Sequence, residues 1–268
     1  MTDLQELQEV ELNLATTFVQ ICEKHKLRYY MIGGTFLGAI RHGGFIPWDD
    51  DMDFGMPRKD FEIFKQLTME YTNLEVRHYS VSPDYKYSFM KLVDKSIQIQ
   101  IHNGKEQQIV PSWIDIFPLD NVPKNKCIKK IFLLKLLILR MLISFKNIDR
   151  LDTKKKGRPF IEKVLMLIAV HANFSKLFSL QYLYKKLDKT LQRYPEEKAA
   201  YWINVMGSYK AKEIFPVAVF GKGSNYKFES KEFIGPIESD DYLHHLYGNY
   251  HKIPAKDDRN HHHSKILK

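Results

Sequence analysis

Leu4, Leu7, Val10, Leu14, Phe18 and Ile21 recur at intervals of three and four, which predicts an amphipathic helix over residues 4–25 with one face on the core. Lys24, His25, Lys26 and Arg28 follow at its C-terminal end, where cations complement the helix dipole, so His25 reads as structural. The apolar run Tyr29 to Ile32 predicts a buried strand that breaks at Gly33-Gly34, where the backbone can turn tightly. Thr35 is expected to cap a helix running to about Arg41. Residues 51–56 predict a second strand, and 59–71 a helix with Phe61, Phe64 and Leu67 inward. Branched and aromatic runs at 76–79, 87–93, 97–101 and 113–117 are separated by Ser-Pro-Asp, Asp-Lys-Ser and His-Asn-Gly, and predict strands that extend the same sheet. Helical spacing returns over 161–193, and the tail reads as shorter elements at 201–206, 214–220 and 226–228. The pattern as a whole implies an α/β (α+β) fold, a mixed sheet flanked by helices.

Composition narrows the class. At 268 residues, with 44% hydrophobic and 27% charged, the chain can bury one substantial core plus a helical addition. Its formal net charge is +9, and the excess is local: residues 124–158 hold twelve Lys or Arg against Asp149 and Asp152, so the remainder is near neutral. Within that segment the run Ile131 to Ile143 is too short and, with Lys135 and Arg140, too charged to span a bilayer. Two readings stay open for this basic helical insertion: peripheral contact with an anionic membrane, or helices that pack on one another with solvated basic ends. Nucleic acid is not expected as a partner, because the run carries leucine and isoleucine rather than interleaved aromatics. Cys22 and Cys127 form no metal-ligand pattern, and the first residues carry no basic start followed by an apolar run, so a cytoplasmic location is expected.

The candidate chemistry lies between the first two strands. Gly33, Gly34 and Thr35 at a helix start offer amide N–H groups suited to a phosphate. Asp49, Asp50, Asp51 and Asp53 follow within a few residues. In an extended segment Asp51 and Asp53 project from the same face, roughly 6 to 7 Å apart. Carboxylates converging to about 5 Å repel by roughly 3 kcal/mol at an effective dielectric near 20, so both stay ionised at neutral pH only around a cation. All-oxygen ligands favour Mg²⁺ or Mn²⁺. Asp115 lies between bulky apolar residues in Trp113-Ile114-Asp115-Ile116-Phe117 and needs a partner there. Lys91 alternates with Phe89 and Val93 and is placed either on a donor phosphate or at the surface.

Gly-Gly-Thr-Phe-Leu-Gly-Ala-Ile-Arg-His from Gly33, then Gly-Phe-Ile-Pro-Trp-Asp-Asp-Asp-Met-Asp to Asp53, resembles the signature of the LicD family, which includes the catalytic domains of fukutin and fukutin-related protein. The C-terminal part is similar again in Phe215-Pro216, in Tyr247-Gly248-Asn249-Tyr250, and in Pro254 followed by Arg259 and His263; it departs from the family at Asn249, where Asp is usual. The resemblance implies a nucleotidyltransferase-like fold and transfer of a phosphorylated alcohol from a CDP-linked donor to a glycan. It implies that Asp51, Asp53 and Asp115 are the catalytic, metal-binding acids. Arg41 and His42 then hold the donor or orient the loop, and Asp49 binds the metal or hydrogen-bonds the loop. Arg259 and His263 either neutralise the leaving cytidine monophosphate or form a basic tail.

The expected organisation is a catalytic core over 1–123, the basic helical insertion over 124–200, and a C-terminal part over 201–268 that completes the domain. Phosphocholine is the first expectation for the transferred group, with glycerol or ribitol phosphate as alternatives. The acceptor is expected to be a lipid-linked cell-surface glycan such as teichoic acid, lipopolysaccharide or capsule. Two rivals are a nucleotidylyltransferase on the same fold and a non-enzymatic membrane-surface partner in polysaccharide assembly.

Overall fold

In the computed structural model, which describes residues 3–67, 71–82, 84–103, 106–146, 178–196, 199–207, 209–255, 259 and 264–266, the first apolar stripe becomes helix α1 (Asp3–Lys24). It buries Leu7, Leu14, Phe18 and Ile21 as their spacing predicts. Phe18 sits at the centre of this face, its ring centroid 5.5 Å from that of Tyr29, 4.9 Å from Phe54 and 5.0 Å from Phe64. Such packing adds to the area it buries.

Strand β1 (Tyr30–Met31) leads into helix α2 (Gly33–His42). The helix starts earlier than the sequence suggests. Its N-cap is Ile32 rather than Thr35, because Gly33 takes φ +56°, a left-handed backbone open to glycine, and turns the chain at once. Thr35 therefore falls in the first turn, where its hydroxyl accepts the Asp53 N–H at 2.7 Å.

Strand β2 (Asp53–Pro57) and helix α3 (Arg58–Leu67) follow, then β3 (Leu74–Arg77), β4 (Met90–Asn103) and β5 (Glu106–Val122). The runs predicted at 87–93 and 97–101 are one strand. Asp94 accepts hydrogen bonds from the Ser96 N–H and hydroxyl, and the pairing with β5 shifts register between Asp94 and Gln98. The Asp-Lys-Ser segment is thus a bulge and not a turn.

Helix α4 (Lys126–Lys146) and helix α5 (Leu180–Leu191) come next. The tail contributes β6 (Tyr201–Ile203), β7 (Ile214–Pro216), the short helix α6 (Val217–Phe220), the hairpin β8 (Ser224–Phe228) and β9 (Lys231–Gly235), helix α7 (Ser239–Tyr247) and β10 (Ser264–Ile266). The part of the basic segment beyond Lys146, and the predicted helical stretch up to residue 177, lie outside the described residues.

The main sheet is mixed, in the order β1-β2-β5-β4-β10, with β3 beside β4 and with β6 and β7 continuing from β5. Only β2 and β5 run parallel among the described pairs. Met90, Leu92, Ile114 and Ile116 are buried on the inner face, while Lys91, Trp113, Asp115 and Phe117 stand half-buried on the other. A second apolar cluster forms where Phe132, Leu136, Leu139 and Ile143 of α4 meet Leu183, Leu187 and Leu191 of α5 and Val122 of β5. The two clusters are joined by a buried ionic knot. Arg58 grips Asp120 through Nε and Nη2 at 2.7 Å each and reaches Asp188 at 3.4 Å, and Asp188 accepts the Tyr79 hydroxyl at 2.7 Å.

Candidate active site

Backbone pairing builds the site. Asp53 and Asp115 are register partners across β2 and β5; the Asp115 N–H donates to Met52 O at 3.0 Å, and the Ile32 N–H to Asp53 O at 3.1 Å. The loop before β2 is tied to α1 by Gln8 Nε2, which donates to Asp49 O at 2.8 Å. β2 itself begins at Asp53, one turn of the pleat later than predicted, yet Met52 and Phe54 point inward and Asp51 and Asp53 remain on the half-buried side.

The acids raise one another. Burial, then Asp51 and Asp50, push Asp49 up to about 8. Burial, then Asp51, Asp115 and Asp49, push Asp53 well above the carboxylate range. Asp115 rises to about 6 through burial, opposed by Lys91. Lys91 Nζ lies 3.5 Å from Asp115 Oδ1, an ion-pair distance too long for a good hydrogen bond, and that shielded oxygen has no hydrogen-bond partner. Lys91 also sits 3.6 Å over the Trp113 ring. In this structure it is the partner that Asp115 requires.

Among the described residues no three His, Cys, Asp or Glu side chains are placed to hold a metal ion together, the expected set of Asp51, Asp53 and Asp115 included. A Mg²⁺ ion takes one or two carboxylates and fills its shell with water and substrate phosphate oxygens, so an open arrangement suits it. The Asp115 oxygen that makes no hydrogen bond and the mutual repulsion of the acids fit such a cation.

Helix α2 aims its positive end at the same place. A Cβ on Gly34 would lie 2.9 Å from Asp49 Oδ2, and one on Gly33 3.4 Å from Asp53 Oδ2, so the two carboxylates rest against the first turn. The Gly33 N–H is engaged by the Tyr242 hydroxyl at 3.1 Å, which shifts any phosphate contact toward Gly34 and Thr35.

The basic residues are drawn to one edge. Arg41 donates from Nε to His42 Nε2 at 3.0 Å and from Nη1 to Tyr250 O at 2.9 Å, so it ties the loop to the C-terminal part. Burial and the Arg41 charge lower His42. The Arg259 guanidinium lies 4.1 Å over the Trp48 ring, and His42 meets the same ring edge-on at 6.2 Å. Trp48 thus gathers residues far apart in sequence next to Asp49. His263 lies outside the described residues.

Sequence reasoning missed Glu11. It is 2% exposed, its Oε2 is buried without a hydrogen-bond partner, and burial followed by Asp51, Asp50 and Asp115 pushes it well above the usual range. The signal was present: Glu11 falls four residues after Leu7 and three before Leu14, on the apolar stripe of α1.

Residues 26–135 match the family model described as the nucleotidyltransferase domain of LicD, FKTN and FKRP. The chain is 31% identical over 266 residues to the lipopolysaccharide cholinephosphotransferase LicD of Haemophilus influenzae, covering 97% of this chain and 96% of that one. Over 49 residues it is 45% identical to the ribitol 5-phosphate transferase FKRP of Homo sapiens, which is 18% of this chain and 10% of that protein.

Proposed function

From the chain's membership of the LicD family, to which it belongs, we propose that it transfers a phosphorylated alcohol, phosphocholine first, from a cytidine diphosphate donor to a hydroxyl of a glycan. It is a transferase. The observation that carries the finer reading is the pairing of Asp53 with Asp115 on one half-buried face, with Asp51 beside them and an Asp115 oxygen left without a hydrogen bond.

One or two of the acids Asp51, Asp53 and Asp115 would hold Mg²⁺ or Mn²⁺, which when bound neutralises charge on the diphosphate oxygens. The Gly34 and Thr35 amides and the α2 dipole bind the anionic donor. Arg41, His42 and Arg259 favour departure of cytidine monophosphate. The glycan hydroxyl attacks the phosphorus that bears the alcohol, the bond to the cytidine monophosphate oxygen breaks in line, and Asp115 takes the hydroxyl proton. Lys91 keeps Asp115 oriented for that role.

The acceptor we favour is a lipid-linked cell-surface glycan, reached at the inner face of a membrane. Helix α4 supports this placement: while one face packs on α5, its other face exposes Ile128, Ile131, Leu134, Leu137 and Ile138 beside Lys130 and Lys135. Among the described residues no helix is long and apolar enough to cross a membrane.

Product analysis with a panel of cytidine diphosphate alcohols tests the reaction. Release of cytidine monophosphate with a phosphorylated glycan is expected. Pyrophosphate released from a nucleoside triphosphate would instead make the protein a nucleotidylyltransferase. Glycan decoration that survives Asp51→Asn but is abolished by charge reversal on α4 would make it a non-enzymatic partner.

A further inference from the structure

Four aromatic side chains run outward from the acidic site, and of these Phe117 packs against the main core. Phe117 stands two residues from Asp115 on β5, on the same face, and stacks on Phe89 at 4.7 Å and 25°. Tyr87 packs on Phe89 at 5.1 Å, and Tyr85 stands nearly upright to both, at 63° to Tyr87 and 82° to Phe89. Tyr87 is 39% exposed, and Tyr85, Phe89 and Phe117 are half-buried. The Tyr85 hydroxyl is shielded from water without a hydrogen-bond partner, and burial, followed by the Asp115 charge, raises its pKa.

We propose that Tyr85, Tyr87, Phe89 and Phe117 form a subsite for the quaternary ammonium of the transferred alcohol. The inference rests on the donor assignment made above. Ring faces carry negative quadrupole charge and attract a weakly hydrated cation. Lys91 over Trp113 already shows a cation resting on an aromatic face of the same surface. The exposed Tyr87 ring is the one of the four that offers the most surface to such a head group, and the rings packed on it hold it in place.

Calorimetric titration with CDP-choline, CDP-ethanolamine and CDP-glycerol in the presence of Mg²⁺ tests it. Wild type is expected to bind the choline donor about tenfold more tightly than the ethanolamine donor, the scale of a cation held on aromatic faces. Phe89→Leu and Tyr87→Leu should bring that ratio close to one. Tyr87 is exposed enough that its variant keeps the fold, and the ratio between donors is insensitive to the amount of active protein. Equal affinities in wild type, or an unchanged ratio in both variants, overturns the subsite and leaves the donor class standing. An unchanged ratio with weakened glycan binding would assign the aromatics to a sugar. Binding of none of the three donors overturns the subsite and the donor assignment together.

Discussion

Asp53 and Asp115 face each other across the parallel pair of β2 and β5, and the Asp53 amide is fixed by Thr35. Asp53→Asn and Asp115→Asn are each expected to lower the transfer rate by about 10²- to 10³-fold, as loss of a preorganised charge contact does. Without divalent cations Asp53→Asn removes repulsion among buried acids and should raise the thermal midpoint, whereas Asp115→Asn also leaves Lys91 without its partner and should not. Steady-state release of cytidine monophosphate and thermal denaturation check the two halves. An Asp53→Asn variant that is slower and also less stable without metal would count against a cluster strained by its own charge.

The acidic loop also fixes a pH dependence. Asp49, lifted to about 8 by burial and by Asp51, binds more protons in the folded than in the unfolded chain. Stability then falls as pH rises from about 4 to about 8, and is highest below the unfolded value. Asp49 and Asp51 share a hydrogen bond, so the titration belongs to the pair. Midpoints of metal-free wild type and Asp49→Asn should diverge over that range, with wild type losing ground at high pH. Parallel profiles would refute it.

Arg58 and Asp120 are 9% and 1% exposed, and the arginine is shared with Asp188. Removing one partner leaves an uncompensated buried charge, so Asp120→Asn should cost about 3 kcal/mol or more. Urea denaturation should show a lower midpoint with unchanged slope; a loss below about 1 kcal/mol would place the knot in the class of surface pairs.

Gly38 is helical, and replacing a helical glycine by alanine ordinarily stabilises by about 1 kcal/mol. Here a Cβ would lie 2.4 Å from Gly44 O, a backbone atom of the turn that carries the chain to Trp48 and the aspartates. Gly38→Ala is therefore expected to destabilise the protein and to reduce activity with it. Denaturation midpoints and turnover measured together decide the sign.

Ile131 is 69% exposed and Leu134 57%. Replacing both by Glu should leave the thermal midpoint nearly unchanged and reduce co-sedimentation with anionic vesicles at least about tenfold, since apolar burial and basic attraction are both opposed. Equal sedimentation of variant and wild type would return α4 to a packing role alone.

The strand, turn, helix and acid order around Gly33 was legible because each step has a local cause: an apolar run, a glycine able to turn, a periodic stripe. Thr35 was misplaced because a left-handed Gly33 starts the helix sooner than a hydroxyl cap would, and the Tyr242 hydroxyl that engages its amide comes from 209 residues away. Asp94 looked like turn chemistry, but its bonds to Ser96 make a bulge inside a ladder that only sheet pairing reveals. Glu11 was visible as an acid on an apolar stripe; what it faces was not, since α1 and the aspartate loop meet only in the fold. The gathering of His42 and Arg259 on Trp48 is likewise a tertiary event without a spacing signal.

Strand β5 carries Asp115 near its middle and Asp120 five residues on, and Asp120 is the anchor by which Arg58 locks the α4 and α5 layer to the sheet. One rigid rod therefore joins the chemistry to the surface that α4 presents. Were α4 to rest on a bilayer, that rod would hold the acids at one set height above the lipid, and acceptors whose hydroxyl stands at that height would be selected by reach, before any sugar is recognised.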